Sequence, residues 1–175
     1  MPYTSSVKEK PEFLHAGIQL TIAFALAVFL ASGYAWDIIA RITANILDIA
    51  GIQTAYVSRL FLIYVRLLDG NVAGFLILSE CSGLITLLIF AFISSLTIGL
   101  IRGSLKIKIL WFLLSISVGL IWNLCRLASV IAVAYNFGIP AFEFVHYIFA
   151  PTIDFVWIVS LWSLGMSWLR KEGSS

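Results

Sequence analysis

The stretch ECSGLITLLIFAFISSLTIGLI, Glu80 to Ile101, decides the fold. Ser82 to Ile101 contains no charged residue. As a helix rising about 1.5 Å per residue it is long enough to cross the ~30 Å hydrocarbon core of a bilayer. Arg102, Lys106 and Lys108 crowd the segment after it. Ile109 to about Ala128 is a second apolar run, readable as helix as far as Tyr135, before Gly138-Ile139-Pro140 breaks the chain. Thr152 to Leu169 is a third, with Pro151 suited to a first-turn position, Asp154 near the positive end of the helix dipole, and Arg170 and Lys171 closing it. Upstream, Gly17 to Trp36 is a fourth run. Its length, and the lack of a small-x-small site before Asp37, favour an anchor over a cleaved signal peptide. Trp36, Trp111, Trp122 and Trp168 read as interfacial belt residues.

Composition agrees with a chain that lives in lipid. Of 175 residues, 61% are hydrophobic and 11% charged, a balance that no soluble domain of this size covers with polar surface. The net charge of +2 is too small to argue for a nucleic-acid partner. Cys81 and Cys125 are too few for a disulfide framework and have no partners at metal-ligand spacing, so neither a metal nor another cofactor is implied. The whole of 1–175 reads as one membrane-embedded domain without internal repeats.

The remaining segments are polar enough to lie outside the bilayer. Met1 to Glu12 carries Lys8, Glu9, Lys10 and Glu12 and reads as a short frayed arm, with His15 following at the membrane edge. Between Asp37 and Ile52, Asp37, Arg41, Asn45 and Asp48 recur at helical spacing while Ile39, Ile42, Ile46 and Ile49 fill another face, the pattern of an amphipathic helix lying in the interface. Leu60–Leu68 and Val72–Leu78 are short apolar runs joined by the turn residues Asp69-Gly70-Asn71. One spanning helix there would bury Arg66, Asp69 and Asn71 at a cost of about 2.5 to 3.5 kcal/mol per charge, which favours a hairpin or re-entrant element. The expected fold class is therefore an all-α integral membrane protein: about four transmembrane helices, with an extracytoplasmic amphipathic helix and a hairpin-like or re-entrant segment. Placing both termini in the cytoplasm puts seven of the eleven basic residues on that side, as the positive-inside rule asks.

Chemistry gathers at the opposite face. Counting back from Arg102, Cys81 lies about 31 Å along a helix, and counting on from Lys108, Arg126 lies about 27 Å along the next. His146 precedes the last span at the same level. A thiol attacks as thiolate, which a nearby guanidinium stabilises. Arg126 stays protonated, so it can hold an anion or an oxyanion but cannot be a base. His146 is then the proton carrier. Glu80 and Glu143 read as residues of solvated faces or as partners for Arg126 or His146, and Asn123, one turn before Arg126, is a candidate for a bond between helices. Cys125 reads as a packing residue, with a disulfide to Cys81 left open.

Glu80-Cys81-Ser82-Gly83-Leu84, then Asn123-Leu124-Cys125-Arg126, then His146 resembles the exosortase/archaeosortase family of membrane transpeptidases, over roughly Gly74 to Leu169. The resemblance implies that Cys81 is the nucleophile and that Arg126 and His146 complete the site, with Glu80, Ser82, Gly83, Asn123 and Glu143 as supporting residues. It also implies a substrate protein whose C-terminal sorting signal consists of a short motif, a transmembrane helix and a basic cluster. Such a substrate is cut near the motif and passed to a lipid or similar anchor, in a plasma-membrane enzyme whose site faces outward. The chain departs from many bacterial members in Ile85, where they carry arginine, in having Glu80 one rather than two places before the cysteine, and in Ala150-Pro151 where a glycine is expected. The residues themselves also fit a non-catalytic scaffold or small transport component, with Arg126 paired to Glu80 or Glu143, and a purely hydrolytic thiol protease.

Overall fold

A computed structural model describes residues 11–78 and 83–172. Glu80, Cys81 and Ser82, together with the polar arm before Pro11, lie outside the described residues. Helix α1 (Pro11–Leu30) begins two residues earlier than the expected arm allowed, with Pro11 at its first position and Glu12 in its first turn, where a missing N–H and a carboxylate both suit the helix start.

The first apolar run is not one helix. The chain breaks at Ala31-Ser32 and restarts as α2 (Gly33–Ile49), so Trp36 belongs to α2, where its indole donates to the Leu30 carbonyl (3.0 Å) left open by the end of α1. α2 is the expected amphipathic helix, but its buried stripe is Ala35, Ile39, Ala40, Thr43, Ala44 and Leu47, whereas Ile42 and Ile49 are exposed. It ends in a Schellman motif: the Ile52 N–H donates to the Leu47 carbonyl and the Gly51 N–H to that of Asp48, with Gly51 at φ 83°.

The all-α expectation is corrected by a three-stranded antiparallel sheet of order β1-β2-β3, made of β1 (Thr54–Val57), β2 (Leu62–Arg66) and β3 (Val72–Leu76). Asp69-Gly70-Asn71 closes the β2/β3 hairpin as its turn chemistry predicts, with the Asp69 carboxylate accepting from both the backbone and the side-chain amide of Asn71 (2.9 Å each). Ile63 and Val65 are buried while Tyr64 and Arg66 are exposed, so one sheet face packs inward. The Asp37 carboxylate ties α2 to this sheet by accepting from Tyr56 (2.7 Å) and from Ser58, and it also pairs with Arg41 (2.7 Å). Burial and the Asp37 contact push the Tyr56 phenol up to about 12, while the donors around Asp37, Ser58 first, hold its carboxyl below the usual range.

α3 (Leu84–Thr97) is a 14-residue helix, about 21 Å long, shorter than the run Ser82–Ile101 suggested. α4 (Leu105–Phe137) runs the full expected course and beyond Tyr135. The last span also differs. A helix starts at α5 (Ile139–Phe144), with Pro140 in its first turn, continues through a π-helical turn at Val145–Phe149, and becomes α6 (Ala150–Glu172). Pro151 therefore lies inside helix rather than at its start. The wider π turn sits where the proline ring would clash with a carbonyl in a regular α-helix.

Three of these helices, Glu12–Leu30, Leu105–Phe137 and Ile139–Arg170, are long and apolar enough to cross a membrane, and α3 is apolar but shorter. Their outward faces carry residues such as Phe24, Val28, Leu110, Leu114, Ile121, Phe155 and Leu164, a surface that suits lipid. At one end of the bundle Lys108 is fully buried rather than part of a solvated basic loop. Its ammonium donates to the Gly99 carbonyl (2.8 Å) just past the end of α3 and lies 3.2 Å from Nδ1 of His15, so His15 is packed against α4. At the other end Gly83, at the start of α3, meets Asn123 and Arg126 of α4. Gly83 to Gly99 thus covers the same layer as Arg126 back to Lys108.

Candidate active site

Three elements bring their side chains together at that second end. α4 supplies Asn123 and Arg126 on one face, three residues apart and hence adjacent on a helix. The Arg126 Nη2 donates to the Asn123 Oδ1 at 3.3 Å, so the bond expected between helices is made within one. α6 supplies Asp154, whose Oδ2 lies 3.4 Å from Arg126 Nη1, with the two side chains only 10% and 11% exposed. The Trp122 indole also hydrogen-bonds Asp154. Glu143 is exposed, Asp154 is an acidic partner of Arg126 among the described residues, and the pairing considered for Glu80 lies outside them.

Gly83 fixes the approach of α3. It caps the helix at φ 64°, ψ 8°, a left-handed conformation natural to glycine. A Cβ built on it would lie 2.8 Å from Asn123 Cγ and 3.3 Å from Arg126 Nη2, with Asn123 Oδ1 closer still. Only a residue without a side chain lets the chain, two residues after Cys81, lie on the Asn123-Arg126 pair. A second close contact follows one layer deeper, where Gly119 of α4 leaves room for Leu87 and Trp157.

His146 lies in the π turn, half-buried. Its ring stacks on Phe142 (5.2 Å between centroids, 6° between planes) and meets the edge of Tyr147 at 4.9 Å. It is within electrostatic reach of the Arg126 charge. The π turn has a physical role here: the extra residue in the turn shifts the helical register, which sets His146 and Asp154 apart from where a straight helix would place them. An apolar cavity of about 360 Å³ opens beside Arg126 between α4 and the last helix, lined by Val130, Val133, Val145, Phe149 and Ile153. Cys125 and Ser129 also face it, and Cys125 is a free, exposed thiol rather than a packed one.

The structure thus brings together Gly83, Asn123, Arg126 and Asp154, sets His146 where it feels the guanidinium charge, and leaves Glu143 on the surface. The sequence reading missed Asp154 and Trp122 as parts of this cluster. The signal for Asp154 was available, since a carboxylate in the first turn of an apolar segment must find a partner, but the partner's identity was not. Trp122, expected in an interfacial belt, also meets Asp154 through its N–H. Among the described residues no three His, Cys, Asp or Glu side chains form a metal-ligand set.

The arrangement is one that can stabilise an anion beside a proton carrier at the edge of an apolar groove. Compared with known families, residues 16–163 match the family described as transmembrane exosortase. No curated protein and no solved structure matches the chain.

Proposed function

We propose a residue-level mechanism from one premise: this chain belongs to the transmembrane exosortase family. Membership implies a membrane transpeptidase of the cysteine type. In our reading Cys81 is the nucleophile. Its thiolate attacks the carbonyl carbon of a substrate peptide bond, a C–S bond forms, and the carbonyl electron pair moves onto oxygen as an oxyanion. Arg126 stabilises first the thiolate and then the oxyanion, where one well-placed donor contributes about 3 to 4 kcal/mol. His146 accepts the thiol proton and gives it to the departing amine as the C–N bond breaks, leaving a thioester. An acceptor nucleophile then attacks the thioester carbonyl and releases the thiolate. Asn123 and Asp154 orient the guanidinium, and Gly83, two residues after the nucleophile in sequence, packs on it. Glu80 and Ser82 flank the thiol, and Glu143 remains a solvated neighbour.

The observation that carries this reading is the packing of Gly83 onto Asn123 and Arg126. Two peptide units reach at most about 7 Å, so chain connectivity ties Cys81 to the neighbourhood of the guanidinium. The substrate is a protein with a C-terminal sorting signal of motif, transmembrane helix and basic cluster, and the acceptor is a membrane lipid or a similar amine-bearing anchor. The enzyme is a four-pass plasma-membrane protein with both termini cytoplasmic and the site outside. α3 is the short fourth crossing, supported by its reach from the Arg126 level to the Lys108 level. Cys81→Ala should abolish processing of a co-expressed substrate, and mass spectrometry of the new C-terminus should show an added acceptor. Unchanged processing sinks the mechanism, and a bare carboxylate makes the protein a hydrolase.

A scaffold reading draws on the buried Arg126–Asp154 pair, which by itself could lock α4 to α6. Thiol chemistry separates the two. An enzyme gives a Cys81 that alkylates from outside with a pKa below that of a free thiol, raised by Arg126→Ala, whereas a scaffold gives an ordinary thiol.

A further inference from the structure

We infer that the free edge of β3 is the seat of the polypeptide substrate, which adds to the sheet as a fourth strand. The inference rests on the transpeptidase reading, because it takes the substrate to be an extended chain.

The backbone bonds say which groups are available. The Ile77 N–H donates to the Phe61 carbonyl (2.9 Å) and the Leu67 N–H to the Asn71 carbonyl (2.8 Å). With Ala73 opposite Val65 and Phe75 opposite Ile63, the amides of Ala73 and Phe75 turn toward β2. By antiparallel alternation those of Val72, Gly74 and Leu76 turn outward. β3 ends the sheet, and among the described residues no strand pairs with that side. The two edges are treated differently. At β1, Asp48 of α2 accepts the outward Thr54 N–H (2.9 Å) and occupies the edge. β3, Val72-Ala73-Gly74-Phe75-Leu76, has no charge, proline or bulge, the devices that usually protect an edge from pairing. Its solvent-side side chains are open, with Val72 66% and Leu76 47% exposed, and between them Gly74 is exposed with the Tyr64 ring of β2 beside it.

Position connects this edge to the site. The Phe75 ring packs on Phe142 at 5.1 Å, and Phe142 is the ring on which His146 stacks. Seven residues past Leu76 the chain reaches Gly83, on Asn123 and Arg126. A peptide paired along β3 therefore lies beside the element that carries His146. Recognition by main-chain bonds fits an enzyme that cuts an exposed, extended motif, with apolar or β-branched residues at alternate substrate positions facing Val72 and Leu76.

The test uses the full chain as Cys81→Ala in lipid nanodiscs, with amide-resolved hydrogen exchange. The probe is a synthetic peptide covering the motif and flanks of a protein from the same genome that ends in a motif, helix and basic-cluster tail. The expected result is slowing of about tenfold or more at Val72, Gly74 and Leu76, with Ala73 and Phe75 unchanged. In the active protein, Leu76→Pro removes one outward donor without touching the β2 ladder. It should raise KM by about tenfold while kcat and the rate of Cys81 alkylation stay within about twofold. Val72→Lys, a charged edge guard, should act in the same direction. Three results overturn the inference: no slowing at the three outward amides, equal slowing at all five, or slowing without peptide that grows with protein concentration, which would give the edge to a second copy of this chain. If Cys81→Ala leaves processing intact while the alternating protection is seen, the catalytic reading fails and the strand site stands.

Discussion

Replacing Asp154 tests whether the buried pair organises the site. At 3.4 Å and an effective dielectric constant near 20, the Coulomb attraction between Asp154 and Arg126 is about 5 kcal/mol before the cost of desolvation. Removing one partner of such a pair leaves a buried charge behind and typically costs about 3 to 5 kcal/mol. Arg126 keeps its bond to Asn123, so Asp154→Asn should sit near the lower end, about 3 kcal/mol. The asparagine carbonyl can still accept from Trp122, whereas Asp154→Ala also strands the indole and should lose about 1 kcal/mol more. The assay is denaturant-titrated unfolding in micelles, followed by tryptophan fluorescence. A double-mutant cycle with Arg126→Met then isolates the pair. The paired change to apolar residues should recover most of the stability, since a well-packed hydrophobic pair replaces a buried ion pair at little cost. Processing should not return with it. Coupling below about 0.5 kcal/mol, with Asp154→Asn as stable as the parent, would show that the pair contributes nothing and refute the reasoning.

Gly83→Ala forces a Cβ into Asn123 at a left-handed φ of 64°, so processing should fall by about 10² or more, and Gly83→Ala with Asn123→Gly should recover part of it. Equal activity in the single variant would remove Gly83 from the site. Lys108→Ala leaves the Gly99 carbonyl unpaired and a void between α1, α3 and α4, and unfolding should show a loss of about 2 to 4 kcal/mol; parent-like stability would mean that the ammonium is not a helix-end clasp. Ultraviolet titration of the parent against Tyr56→Phe should place Tyr56 at about 12. Because that folded value is raised, its contribution to stability is full below about 10 and is lost as the pH rises toward 12. Asp37→Asn should bring Tyr56 partway down, and an unchanged titration would discount the Asp37 contact. For Asp37 the sign is reversed: its lowered value stabilises the folded chain above the ordinary carboxylate range and stops doing so as acid reaches the folded value.

Hydropathy and punctuation alone determined most of what depends on the solvent. Long uncharged runs can only be helices in lipid, because every backbone amide there must be paired within its own segment. That logic predicted the course of α4 and the membrane class. It also predicted the amphipathic character of α2, and the β2/β3 turn at Asp69-Gly70-Asn71 by local chemistry. It could not see the break at Ala31-Ser32, the third strand β1, or the short α3, since these depend on what packs against them: Trp36 on the end of α1, α2 along β1, and Lys108 on the end of α3. For the site, residue types and their order pointed to Arg126, Asn123 and His146, because a charged or polar residue in an apolar run is costly wherever the chain goes. Which carboxylate answers Arg126 was a matter of three dimensions. Residue type alone offered Glu80 and Glu143 as candidates beside solvated faces; a helix that begins at Ile139 and widens at Val145–Phe149 sends Asp154, 28 positions from Arg126, into the bundle and leaves Glu143 on a solvated face. The sequence states that a buried charge needs a partner, and only the packing of α6 on α4 chooses it.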